Sequence, residues 1–119
     1  MNDEEKRELF VEFERNRQML QNVSAQKQQI SMQIEIIKAS LEELKSTKEK
    51  TVMKIIGNIL VSKSVTEMKK ELVDQQESFE LRNKTLVKQE ETLINKLNSL
   101  KSKIEGKHEE ANEEKKSRK

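Results

Sequence analysis

Catalysis needs a nucleophile, acid or base held where water can be kept out, and this sequence offers few candidates. Its one histidine, His108, stands alone in a charged stretch and reads as solvated. Adjacent carboxylates occur at Glu42-Glu43 and Glu90-Glu91, each close to lysine, and read as ion-paired helix surface. Cysteine is absent, which excludes disulfides and thiolate metal sites. There is no Gly-rich phosphate loop, no metal-ligand spacing and no nucleophile–base pair. No enzyme, cofactor or metal is therefore expected. The chemistry left is apolar contact, and two clusters offer it. One is Leu9-Phe10-Val11 with Phe13, and the other runs from Val52 to Val61.

Composition shows what can position such clusters. Of 119 residues, 39% are charged, 32% hydrophobic and 3% aromatic. That is too little apolar mass for a globular core, yet its spacing is too regular for a disordered chain. Proline is absent and glycine occurs twice, so long helices with narrow apolar seams are expected. No window approaches the ~18 apolar residues of a membrane span. The acidic start Met1-Asn2-Asp3-Glu4-Glu5 does not suit a targeting peptide, and the expected location is cytoplasmic. Net charge is +2, from 24 basic and 22 acidic residues. The signs are interleaved, which argues against nucleic acid as a partner.

Counting by four and three from Leu9 gives Phe13, Asn16, Leu20, Val23, Lys27, Ile30, Ile34, Ile37, Leu41 and Leu44. All but Asn16 and Lys27 are apolar, the seam of a coiled coil. Helix one is predicted over 4–47, capped by Asn2 or Asp3. Helix two, over 64–105, opens with the capping box Ser64-Val65-Thr66-Glu67. Its seam is Leu72, Phe79, Leu86, Leu93 and Leu100, widened by Met68, Leu97 and Ile104. Gln75, Arg82, Gln89 and Glu90 thin it in the middle. Gly106 suits a C-cap, and 107–119 reads as a disordered charged tail.

Each helix would be about 60 Å long, and equal lengths around a bend imply antiparallel packing. Both seams fit one register, residue numbers summing to 113: Leu41 beside Leu72, Ile34 beside Phe79, Leu20 beside Leu93, Phe13 beside Leu100. The bend itself reads as a β-hairpin over 51–63, with Val52, Met53, Ile55 and Ile56 before Gly57-Asn58 and Ile59, Leu60 and Val61 after it. Met53 and Ile55 would face one side, Val52 and Ile56 the other, making both faces largely apolar. An isolated hairpin is marginal in water and leaves its edges unpaired. Hairpins from several chains closing into a barrel would remove those edges. The fold expected is mainly α: a long antiparallel coiled-coil hairpin with a central β-hairpin that oligomerises into a β-barrel platform, as one domain.

These residues resemble the β-class subunits of prefoldin, the archaeal members most closely. The resemblance rests on Gln26-Lys27-Gln28, Leu41-Glu42-Glu43-Leu44, and Lys54-Ile55-Ile56-Gly57-Asn58-Ile59-Leu60-Val61. It continues through Leu81-Arg82-Asn83-Lys84-Thr85 and Lys88-Gln89-Glu90-Glu91. It spans roughly residues 16 to 105. Met53 departs from it, standing where tyrosine is common. The resemblance implies a heterohexamer of two α-class and four β-class subunits (α2β4) on a double β-barrel platform, with coiled-coil arms. It further implies ATP-independent capture of unfolded client proteins at the arm tips and their transfer to a group II chaperonin.

Under that resemblance the client-binding tip residues are Leu9, Phe10, Val11 and Phe13 of helix one with Leu97, Leu100 and Ile104 of helix two. Three consecutive apolar residues at 9–11 exceed what one narrow seam can cover, and helix ends have the lowest local stability; the plainer reading of each is that it only seals the end of the coiled coil. Val52, Met53, Ile55, Ile56, Gly57, Ile59, Leu60 and Val61 are the assembly residues. The alternative is a structural or tethering coiled coil without chaperone activity. It explains the heptads but gives no reason for a β-branched hairpin at the bend.

Overall fold

The computed structural model describes residues 1–106, and the tail expected over 107–119, with His108, lies outside the described residues. Helix α1 spans Asp3–Ser46, strands β1 and β2 span Thr51–Ile56 and Ile59–Ser64, and helix α2 spans Val65–Ile104. The strands form a two-stranded antiparallel sheet. Two long helices joined by a β-hairpin make the fold mainly α. No described helix is long and apolar enough to cross a membrane.

Local chemistry explains each boundary. Asn2 is the cap of α1: its Oδ1 accepts the Glu5 N–H at 2.8 Å, and Asp3, Glu4 and Glu5 occupy the first turn, where the helix dipole favours anions. At the other end Lys45 lies in the last turn. Ser64 serves two elements, ending β2 while its Oγ accepts the Glu67 N–H at 3.1 Å to start α2. At the end of α2, Gly106 takes φ +71° and donates its N–H to the Lys103 carbonyl at 3.1 Å. That is one of the two bonds of a Schellman cap, which glycine favours because it has no Cβ to clash.

The chain divides into two compact parts. One is Lys27–Thr85, with the hairpin at its centre; the other is Met1–Gln26 together with the chain from Leu86 onward. In the hairpin part, Ile37 and Leu44 of α1 and Leu72 of α2 form a buried cluster. Leu41, Val52, Val65, Met68 and Phe79 pack against it. Leu41 and Leu72, partners in the expected register, thus meet in one core, and higher numbers in α1 meet lower numbers in α2, as antiparallel helices must. Burying a leucine or isoleucine in such a cluster contributes up to about 1.5–3 kcal/mol relative to exposure. In the terminal part Leu86, Leu93 and Leu100 are buried, as is Asn16. Asn16 is satisfied by its own helix, its Nδ2 donating to the Glu12 carbonyl at 2.7 Å.

Every position of the α1 seam is buried or half-buried, from Leu9 to Leu44, Asn16 and Lys27 included. The middle of α2 differs from expectation. Gln76, Asn83 and Glu90 are the shielded polar residues there, while Gln75, Arg82 and Gln89 are exposed. The reason is counting: the four-three alternation must run without a break from Leu72 to Ile104, and only 76, 83 and 90 keep it. Glu90 accepts a hydrogen bond from Ser24 Oγ of α1 at 2.7 Å, so it belongs to the helix interface of the terminal part. Glu42, by contrast, lies on the surface with Lys45 3.4 Å away.

Candidate functional site

The hairpin carries the first candidate surface. Its register pairs Ile56 with Ile59 across the two-residue loop Gly57-Asn58. Gly57 has φ +58° and no non-glycine residue has positive φ, the pattern of a type II′ turn with glycine first. Side chains then alternate between faces. Val52, Lys54, Val61 and Lys63 are half-buried on one face, whereas Met53, Ile55, Leu60 and Ser62 are exposed on the other. Ile55 is 74% and Leu60 61% exposed. At the turn Ile56 and Ile59 are also exposed. Gly57 has nothing within 4 Å of where a Cβ would stand.

The face that bears Val52, Ile56, Ile59 and Val61 also carries two lysines. Lys54 and Lys63 sit diagonally across the strand pair, as Lys54 is opposite Val61 and Lys63 opposite Val52. Glu71 of α2 takes both. Its Oε2 accepts from Lys54 Nζ at 2.9 Å and its Oε1 accepts from Lys63 Nζ. Hydrogen bonds from Lys63 and then Lys54 hold the Glu71 carboxyl below the usual glutamate range. A depressed pKa means the clamp's contribution is present above the unfolded carboxylate's pKa and is lost as pH falls through the lower folded value. At the hairpin's root, the Val65 N–H donates to the Lys50 carbonyl at 2.9 Å. Neither Glu71 nor its two lysines were singled out from sequence. The signal was available, since a two-residue loop fixes the register and the register puts Lys54 and Lys63 on one face.

The second candidate surface lies in the terminal part. Leu100 is 4% exposed and sealed into the helix interface, and Leu9, Phe13, Leu97 and Ile104 are half-buried. Phe10 and Val11 point away from the seam, 57% and 52% exposed. The seven residues therefore sort into one that only seals, four that seal and reach solvent, and two that are free. Beside them a shallow groove runs along Glu8, Val11, Glu12, Arg15 and Met19 of α1. Lys96 of α2 lines it too, 3.5 Å from Glu12. Ile94, also exposed on α2, was not anticipated. It lies one residue past the buried Leu93, and widening the seam by one position would have found it.

The prefoldin subunit family model matches residues 7–111, which contains both surfaces and everything between them. The chain belongs to the prefoldin subunit family. Among prefoldin relatives, the prefoldin subunit beta of Archaeoglobus fulgidus is 37% identical over 86 residues, covering 71% of this chain and 74% of that protein. Prefoldin subunit beta of Saccharolobus islandicus is 35% identical over 96 residues, covering 80% and 76%. The crystal structure of the prefoldin beta subunit from Thermococcus strain KS-1 superposes with a TM-score of 0.78 at 27% identity, over 88% of this chain and 93% of that one. The fold is that of a prefoldin beta subunit. Prefoldin membership implies a chaperone role and assembly with other prefoldin subunits, and prefoldins are not a family of enzymes.

Proposed function

We propose that this chain is the β-class subunit of a cytoplasmic, ATP-independent holdase, an α2β4 heterohexamer. In this reading its hairpin enters a β-barrel platform, its coiled-coil ends hold unfolded proteins, and the load passes to a group II chaperonin. The observation that carries client capture is the pairing of exposed Phe10 and Val11 with a seam that is apolar underneath. An unfolded segment meets two free apolar side chains first. Fraying of the helix ends then adds Leu9, Phe13, Leu97 and Ile104, because local stability is lowest there. Contacts this weak hold a client when several arms act at once, through effective concentration. The exposed Met53, Ile55 and Leu60 support the platform. A sheet face and edges this apolar are an aggregation hazard until another chain covers them.

The test is suppression of client aggregation by the complex assembled with an α-class subunit. Removing the first 15 residues should abolish suppression while the hexamer survives. Phe10→Ser with Val11→Ser, which leaves the seam intact, should weaken it. Unchanged suppression by both variants would remove client capture from these residues. A helical dimer without aggregation suppression would favour the tether.

A further inference from the structure

Beyond Lys54, nothing else of the described chain covers the hairpin. Val52, Lys54, Val61 and Lys63 are half-buried, yet Ile55, Ile56, Ile59 and Leu60 are all exposed, on both faces of the sheet. The Glu71 clamp therefore marks where the chain stops holding its own hairpin. Without Glu71 the two lysines would be adjacent like charges on one sheet face, an arrangement that repels. With it, each ammonium has its own carboxylate oxygen. The root is fixed separately, by Val52 and Val65 in the core cluster and by the Val65–Lys50 backbone bond. Those contacts anchor the base of the strands.

We infer that Glu71 is a positioning residue for assembly. By drawing Lys54 and Lys63 onto α2 it fixes the ribbon's tilt, so that the Met53, Ile55 and Leu60 face is already turned outward when a partner subunit arrives. The gain is preorganisation, because a hairpin ordered before association loses less freedom on binding. This inference rests on the assembly reading above and adds to it the residue that aims the surface.

The test mixes the full chain with an α-class subunit over a concentration series and reads mass by light scattering. Glu71→Gln keeps the size of the side chain and removes its charge. It should leave helicity intact, speed amide exchange from Met53 to Leu60 in the unmixed chain, and shift the assembly midpoint to higher concentration. Reversing all three charges, Lys54→Glu and Lys63→Glu with Glu71→Lys, rebuilds attraction to each strand with one cation between two anions. It should move exchange and midpoint back toward wild type. Wild-type assembly with an unmoved Glu71→Gln midpoint would overturn the inference, as would no recovery in the triple variant. A wild-type chain that never joins the partner would sink the assembly reading itself, and the inference with it.

Discussion

Two asparagines in the seams show how unequal similar residues can be. Asn16 is buried but spends its amide on the Glu12 carbonyl one turn back. Asn83 holds a buried Oδ1 that meets no hydrogen-bond donor. A buried acceptor left unmade costs about 1–3 kcal/mol, so Asn83→Leu should stabilise the chain by that order. A urea melt will read it as a higher midpoint at unchanged slope, and a lower midpoint would show that the amide is used. The sequence supports both asparagines only as seam polarity. Asn16 fell on the counted heptad and was found, whereas Asn83 was missed because Arg82 was placed on the stripe instead. A charged and a neutral polar residue side by side give the eye no preference, and only unbroken counting decides between them.

Among the elements, the helices were readable because their signals are local and repeated. A capping asparagine, a heptad and a glycine stop each act within a few residues. The register between helices is a weaker signal, since it relies on two seams agreeing at long range, yet Leu41 and Leu72 do share a core. In the terminal part the same rule places Leu20 against Leu93. Cysteines at those two positions should form a disulfide under mild oxidation, visible as a faster-migrating band without reductant. Failure to close would mean that the Cα atoms lie beyond the roughly 7 Å that a disulfide spans. The hairpin's two-faced character was less legible. The two-residue loop at Gly57-Asn58 fixes which residues share a face and so places Lys54 and Lys63 together, but their partner Glu71 lies 17 residues from Lys54, and no local pattern points to it.

At the scale of the molecule, stability is divided. The hairpin part exposes its strongest apolar surface where partners would sit, and the terminal part exposes Phe10 and Val11 where no partner subunit is proposed. An α-class subunit that binds only the folded hairpin stabilises it by mass action, about 2.7 kcal/mol at a hundredfold excess over Kd. Adding that partner should therefore slow amide exchange over Thr51–Ser64 and leave the first turns of α1 exchanging as before. Uniform slowing along the whole chain would mean that the partner also grips the terminal part. Gly57 carries a final consequence. Its backbone sits in a left-handed conformation with open space around it, so handedness, not bulk, restricts this corner. An L-alanine would strain the turn, while its mirror-image residue, introduced by chemical synthesis, would fit there and hold the loop more firmly than glycine does.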